Sequence, residues 1–164
     1  VAVEAASPNN VALLKGRMKY QTIGPDKLNQ LRHARMFRTV EDIEKHMKRH
    51  AAILRPKFET VEKELQNQLS GTGIARWTTP RGGYFISLYV LEGCAKRVEQ
   101  LCANAGMILT PAGATYPYGN DPKDSNIRIA PSYPSVEEIE KASEVLALAV
   151  RYAALEKLLA DKEN

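Results

Sequence analysis

The sequence predicts an α+β fold, in which a small antiparallel or mixed sheet is covered by helices and preceded by two further helices. Two observations lead to this prediction. Helical apolar periodicity dominates residues 39–71 and 135–159, and short β-rich runs lie between these segments. Two of those runs are joined by a Pro-Arg-Gly-Gly sequence at residues 80–83, which is typical of a hairpin turn.

Two helices are predicted in residues 1–38. Ser7 is an N-cap followed by proline, so the first helix should run from Pro8 to about Lys19. After a connection, the second helix begins near Pro25 and continues through LNQLRHARMF. We expect these residues to be the end of something larger, because they are hard to close into a core with the residues that follow.

One long helix is predicted from Thr39 to Gly71. Thr39 with Asp42 resembles a capping box, and Pro56 should kink or divide the helix. Apolar residues recur at three- and four-residue steps, broken by one longer step, and predict a stripe that faces inward. The residues of this stripe are Ile43, Met47, Ile53, Leu54, Phe58, Val61, Leu65 and Leu69.

The remaining elements form a layer of short strands and helices. In order, they are strands at 74–79 and 84–90, a helix from Cys94 to Ala105, strands from Met107 to Thr110 and from Asn126 to Ala130, and a helix from Ser135 to Leu159. Gly106 is typical of the residue that ends a helix, and Ser135 is typical of an N-cap. The loop at 111–125 is rich in Gly, Pro and Tyr.

Composition and charge exclude several classes of protein. The 164 residues are 44% hydrophobic and 26% charged, as in ordinary globular proteins. The net charge is +4, but basic and acidic residues are interleaved, so we predict no nucleic-acid partner. No apolar run approaches membrane-spanning length, so no membrane is expected. Two cysteines without a metal-ligand pattern, and no signal peptide, predict the cytoplasm.

Two groups of residues resemble catalytic or metal-binding sets and are assigned to neither. His46 and His50 are four residues apart, but no carboxylate or thiol completes a zinc set with them or with His33. Cys94 and Cys102 have no neighbouring base, which argues against a nucleophile. We therefore predict no metal ligand and no catalytic residue in this chain.

Arg128 is the candidate binding residue. It stands between Ile127 and Ile129, and alternation along a strand places the two isoleucines on one face and Arg128 on the other. A guanidinium on a strand beside the 111–124 loop suits bidentate capture of a carboxylate or phosphate. The alternative is an exposed strand arginine with a solvated head.

Thr22 is a second candidate. It belongs to the run Gln21-Thr22-Ile23-Gly24-Pro25 just before a predicted helix. A threonine hydroxyl and the free N–H groups of a helix start can hold a phosphate. An ordinary cap and turn is the alternative interpretation.

Three stretches of the chain, taken in order, resemble the C-terminal part of the fold-type I, pyridoxal-phosphate-dependent aminotransferases. The resemblance is closest to the MocR-like branch of the aspartate aminotransferases and covers essentially the whole chain. The stretches are PRGGYFISL at residues 80–88, AGMILTPAGATYPYG at residues 105–119 and NIRIAPSYPS at residues 126–135.

The resemblance implies that this chain is the C-terminal fragment of an enzyme that moves an amino group between an amino acid, with aspartate as a candidate, and a 2-oxo acid. In such enzymes a strand arginine binds the α-carboxylate of the substrate, and that role falls on Arg128. The region of Thr22 resembles a segment near the cofactor phosphate of the neighbouring subunit, which implies a homodimer. Residues 1–38 would end the large domain, and residues 39–164 would form the small domain.

The resemblance also implies a lysine that binds pyridoxal phosphate covalently, in a Ser/Thr-rich context before a Gly-rich run. Lys15 and Lys19 have neither context. We therefore expect that lysine upstream of Val1, and we expect the 164-residue chain alone to be inactive and to bind no cofactor covalently.

Two other classes of function stay open. A ligand-sensing, aminotransferase-like domain of a transcription regulator would be accompanied by a winged-helix DNA-binding segment, and none is visible in this sequence. A non-enzymatic α+β interaction domain would show an intact mass equal to that of the 164 residues alone.

Overall fold

The computed structural model describes residues 4–163, which contain five α-helices and one three-stranded antiparallel sheet. This architecture confirms the predicted α+β class. In chain order the elements are α1 (Pro8–Thr22), α2 (Lys27–Met36), α3 (Val40–Leu69), β1 (Ala75–Trp77), β2 (Ile86–Val90), α4 (Ala95–Asn104), β3 (Asn126–Ile129) and α5 (Val136–Glu163).

The chain divides into two compact units, and the division lies inside α3, between His50 and Ala51. In the first unit no residue from 4 to 50 is buried. The second unit holds the hydrophobic core. The predicted boundary between residues 38 and 39 lies just before α3, and the assignment of the two sides to a large and a small domain stays a prediction.

The helix starts follow the capping patterns of the sequence. Ser7 Oγ accepts a hydrogen bond from a backbone N–H in the first turn of α1. Before α3, Asp42 N donates to Thr39 Oγ1 at 3.2 Å and Thr39 N donates to Asp42 Oδ2 at 3.1 Å. Ser135 and Glu138 form the same reciprocal pair at the start of α5, at 2.7 and 3.2 Å. Each pair satisfies N–H groups that have no partner inside the helix.

Pro56 does not divide α3, which is a single helix over its full length. Proline lacks the N–H that would bond to the carbonyl four residues earlier. Here Thr60 Oγ1 donates to the Pro56 carbonyl at 2.8 Å, so the turn after the proline gains a side-chain contact. The loss of one backbone bond is small beside the rest of a helix of 30 residues.

The stripe predicted along α3 faces inward only in the C-terminal half of the helix. Val61, Leu65 and Leu69 are buried, whereas Met47 and Ile53 are exposed. The prediction of one continuous inward stripe is therefore wrong for the N-terminal half. Periodicity along a helix marks an apolar face, but the elements that cover this face come from distant parts of the chain.

The sheet has the order β1-β2-β3, and both pairs are antiparallel. In this register Leu88 lies opposite Trp77 on one side and Ile127 on the other. One face of the sheet is apolar and packs against α3, α4 and α5. Its buried strand residues are Ile86, Leu88, Val90, Ile127 and Ile129. The opposite face carries half-buried side chains, among them Ser87, Tyr89 and Arg128.

Met107 to Thr110 is not a strand, which corrects the prediction. The N–H of Met107 donates to the carbonyl of Cys102 at 2.9 Å, after Gly106 turns the chain with φ at 83°. The start of this segment therefore completes the C-terminal cap of α4 rather than pairing with the sheet.

Cys94 and Cys102 are both buried and free. Burial raises the pKa of Cys102 to about 11, and it also raises the pKa of Cys94. Both groups are therefore neutral thiols that act as small apolar side chains. None of the helices described between residues 4 and 163 is long and apolar enough to cross a membrane.

Candidate functional site

Arg128 lies on β3, opposite Ser87 of β2. Its neighbours Ile127 and Ile129 are buried in the core, and Arg128 is half-buried on the other face of the sheet. The alternation predicted from the sequence is thus present in the strand. Because Ile127 and Ile129 pack in the core, they fix the backbone that carries Arg128.

The Arg128 guanidinium forms no ion pair or hydrogen bond with the residues described from 4 to 163. Its Nε is buried and has no hydrogen-bond partner there. The Cζ atom lies over the ring of Phe85, 4.5 Å from the ring centroid. A shielded cationic donor without a partner is costly, because desolvation is not repaid by a hydrogen bond. The arrangement suits a planar anion, such as a carboxylate, that could accept from the guanidinium.

A network of hydrogen bonds around Asn126 joins β2 and β3 close to Arg128. Asn126 Nδ2 donates to Ser87 Oγ at 2.8 Å and to the Leu88 carbonyl at 3.4 Å. Thr115 Oγ1 donates to Asn126 Oδ1 at 2.6 Å. Asn126 therefore ties β3 to β2 and to the 111–124 loop, two residues before Arg128.

Asp121 holds the end of that loop. Its carboxylate accepts from the backbone N–H groups of Lys123, Ser125 and Asn126 at 3.0, 2.8 and 2.9 Å. Partial burial acts to raise the pKa of Asp121, but these N–H groups outweigh it and hold the pKa below its ordinary value. The Asp121 carboxylate thus fixes the backbone where the loop enters β3.

The loop closes on itself at Gly113, which has φ at 88° and is buried. A Cβ atom there would clash with the carbonyl oxygen of Gly119, so this close approach requires glycine. The two tyrosines of this loop differ in exposure. Tyr118 is fully exposed, with φ at 59°, whereas Tyr116 is half-buried.

Thr22 was predicted to lie in the connection before the second helix, but it lies in the first helix. It is the last residue of α1, which runs three residues beyond the predicted Lys19. Its hydroxyl donates to the Met18 carbonyl at 3.5 Å. The start of α2 is capped by Asp26, which accepts from Asn29 N at 2.9 Å. The second helix begins at Lys27, close to the predicted Pro25, whereas Thr22 ends the helix before it. The contact of Thr22 with a cofactor phosphate stays a prediction.

The groups present fit an anion at Arg128, and the absence of covalent attachment of pyridoxal phosphate to this chain stays a prediction. That attachment needs an amine that is free to react. Lys57 Nζ donates to the Ser132 carbonyl at 2.8 Å, and Lys123 forms an ion pair with Glu92. The lysines of α1 lie on exposed turns of the helix.

The histidines form a row of ring contacts in the first unit. The rings of His46 and His50 are 4.4 Å apart, and the ring of Phe37 lies 5.1 Å from that of His46. His33 Nδ1 is 2.8 Å from the Asn29 carbonyl. Within residues 4–163 no group of three or more His, Cys, Asp and Glu side chains is placed to hold a metal ion.

Two features of the site were not predicted from the sequence. The first is Phe85, whose ring contacts the Arg128 guanidinium from the neighbouring strand connection. The second is Asp121, whose three backbone contacts set the start of β3. An aspartate in a Gly/Pro-rich loop is a signal for such contacts, since its side chain often accepts from N–H groups nearby. The pairing of Phe85 with Arg128 needs the strand register, which no local pattern gives.

The chain matches known aminotransferases over almost its whole length. The family profile described as aspartate amino-transferase matches residues 1–162. A curated aspartate aminotransferase of Corynebacterium glutamicum is 47% identical over 150 residues, which are 92% of this chain and 35% of that protein. The solved structure of an aspartate transaminase from C. glutamicum superposes with a TM-score of 0.85 and 46% identity, covering 93% of this chain and 36% of that chain.

A more distant structure shows the same fold. An α-aminoadipate aminotransferase of Thermus thermophilus, solved with N-(5'-phosphopyridoxyl)-L-leucine, superposes with a TM-score of 0.75 at 18% identity, covering 92% of this chain and 38% of that chain. The chain spans little more than a third of the length of the curated relatives that it matches, 35% and 38% for two of them.

Proposed function

The chain belongs to the aspartate aminotransferase family, and we propose that it supplies the substrate-carboxylate site of a pyridoxal-phosphate-dependent aminotransferase. The observation that carries this proposal is the Arg128 guanidinium, which is held on the face of the sheet opposite the hydrophobic core and lacks an anionic partner among the described residues. The reaction would transfer an amino group between an amino acid and a 2-oxo acid.

Arg128 would bind the α-carboxylate of the amino acid through two parallel N–H···O contacts. This contact would fix the orientation of the substrate about its Cα atom, and correct orientation is a large part of the rate enhancement in such reactions. Half-burial of Arg128 excludes part of the water around the ion pair, which strengthens the pair. Arg128 would thus bind and orient the substrate without exchanging a proton, since a guanidinium stays protonated.

Aspartate is the first candidate for the amino acid, because the C. glutamicum relatives carry that name. A side-chain carboxylate would need a second cationic group. Arg81, which is exposed in the connection between β1 and β2, is a candidate by residue type in the same unit. Arg32 and Arg35, which are exposed on α2, are candidates of the same kind.

The cofactor would be pyridoxal phosphate, attached through a lysine outside this chain. The 164 residues alone are expected to form no covalent adduct, because no lysine stands in the family's Ser/Thr-rich context. The test is to add pyridoxal phosphate to the chain, reduce with borohydride and measure the mass of each peptide. A stable phosphopyridoxyl group on one lysine would contradict this assignment.

Four further parts of the proposal rest on the resemblance and on the sequence. They are a contact of Thr22 with the cofactor phosphate, a homodimer, a domain division near residue 38 and a cytoplasmic location. The two buried free thiols are consistent with a reducing compartment.

The test of the proposed function is Arg128→Ala in the complete aminotransferase that contains these residues. We expect a higher KM for the amino acid and a fall in kcat/KM of at least about tenfold, since a charge-assisted bidentate contact is lost. The matched control is Arg97→Ala, which removes an arginine of the same unit that is already paired with Glu156.

Arg97→Ala should leave both kinetic constants within about twofold of the wild type. If Arg128→Ala also leaves them unchanged, Arg128 is not in the substrate site and the proposed function loses its main support.

A further inference from the structure

We propose that Phe85 is a positioning residue for Arg128. Its ring would hold the guanidinium in one orientation before the substrate arrives, so that the carboxylate meets a preformed fork of donors. This inference rests on the proposed function of Arg128 and assigns a new role to a second residue of the same site.

The register of the sheet brings the two side chains together. Arg128 lies directly opposite Ser87, and Phe85 precedes Ser87 by two residues. Residues two apart along an extended chain project from the same face. Phe85 is therefore the diagonal neighbour of Arg128 on the face opposite the hydrophobic core, at a spacing that an aromatic ring and an arginine can bridge.

The contact uses the part of the guanidinium that a carboxylate does not need. The Arg128 Cζ lies over the Phe85 ring, 4.5 Å from its centroid, which is within the range of a cation–π interaction. A carboxylate binds to the N–H groups at the edge of the guanidinium plane. The ring and the substrate would therefore contact Arg128 at the same time.

The benefit of the contact is preorganisation. An arginine side chain has several rotatable bonds, and fixing them during binding lowers affinity. In this protein the ring already contacts the guanidinium, and the Nε atom is already shielded from water. Phe85 itself is 49% exposed, so the ring does not belong to the hydrophobic core and its contact with Arg128 is separable from folding.

The same sheet contains a matched control. Arg76 of β1 lies over the ring of Tyr89 of β2, with Cζ 3.9 Å from the centroid. Tyr89 is half-buried on the face opposite the hydrophobic core, and in the register it lies opposite Asn126. Tyr89→Leu therefore removes an arginine–ring contact of the same kind and a ring four residues further along the chain, while the Phe85–Arg128 contact stays.

The experiment compares Phe85→Leu, Phe85→Tyr, Tyr89→Leu and Arg128→Ala in the complete, cofactor-loaded enzyme, with steady-state kinetics for the amino acid. We expect Phe85→Leu to raise KM about threefold to tenfold with a smaller change in kcat. Phe85→Tyr keeps the ring face and should stay within about twofold of the wild type. Tyr89→Leu should also stay within about twofold.

The split between KM and kcat separates positioning from folding, because a variant that only loses folded enzyme lowers kcat at constant KM. The proposal is overturned if Phe85→Leu leaves KM unchanged, if Phe85→Tyr is as impaired as Phe85→Leu, or if Tyr89→Leu gives the same rise in KM. An unchanged Arg128→Ala enzyme would instead contradict the proposed function, so the two failures are distinguishable.

Discussion

Arg97 and Arg128 lie in the same unit, yet their guanidinium groups are in opposite states. Arg97, on α4, donates to both carboxylate oxygens of Glu156 on α5, at 2.7 and 2.8 Å, and to Gln100 at 3.0 Å. The Arg128 guanidinium donates to no group among residues 4–163, and its Cζ lies over the ring of Phe85. The donors of Arg97 are bonded to other residues of the fold, whereas those of Arg128 have no partner among the described residues.

The difference between the two arginines indicates that a binding residue can be sought among charged groups that have no partner in the fold. Hydrogen-bond donors that folding leaves without partners are rare, because each lowers stability. Arg97 joins two helices, so its role is explained by the fold. Arg128 gains nothing comparable from folding, and a ligand is the simplest source of the missing acceptor.

A third charged group, Asp121, extends the comparison to an acid whose two carboxylate oxygens both accept hydrogen bonds from the backbone. Asp121→Ala would leave three backbone N–H groups without their partner and loosen the start of β3. We expect the free energy of unfolding to fall by about 2–4 kcal/mol. Urea unfolding of the 164-residue chain measures it, with Asp161→Ala as control, since Asp161 forms only a surface pair with Lys157. Equal effects of the two substitutions would contradict the role of Asp121.

For a substitution at Arg128, we expect the free energy of unfolding to change in the opposite direction. Arg128→Met removes an unpaired, half-buried charge and keeps an unbranched side chain that can pack on the Phe85 ring. The free energy of unfolding of the 164-residue chain should stay the same or rise by up to about 2 kcal/mol. A clear loss of stability would show that Arg128 serves the fold, and the contrast with Arg97 would then fail.

The smallest change in stability is expected for a substitution at Arg97, and this change should depend on pH. The hydrogen bonds from Arg97 hold the pKa of Glu156 below its ordinary value of 4.5. The stabilisation is therefore complete above that value and is lost as the pH falls through the lower, folded-state pKa. We expect Arg97→Met to lower the thermal midpoint slightly at pH 7, since the pair is partly exposed to solvent.

Measured at pH 3, the difference in midpoint between Arg97→Met and the wild type should shrink, because Glu156 in the unfolded chain, with its ordinary pKa of 4.5, is then largely protonated. A difference that is the same at pH 7 and pH 3 would mean that Arg97 acts through packing rather than charge.

The sequence was sufficient for features that depend on local chemistry. The capping pair of Thr39 and Asp42 and the N-cap role of Ser135 follow from residue types at fixed spacing. The outward direction of Arg128 follows from the period of a strand between two buried isoleucines. These predictions needed no knowledge of distant residues.

Features that depend on distant residues could not be predicted. The segment at 107–110 has the composition of a strand, but its first N–H is used by the end of α4. Met47 and Ile53 continue an apolar period, yet they are exposed. The contact of Phe85 with Arg128 depends on the register between β2 and β3, which the complete sheet determines.

The burial of Cys94 and Cys102 has a practical consequence. Since both thiols are enclosed and stay protonated near neutral pH, thiol-directed reagents should react with them slowly. One cysteine introduced at an exposed position could therefore carry a fluorophore or spin label selectively, with the two native cysteines left in place.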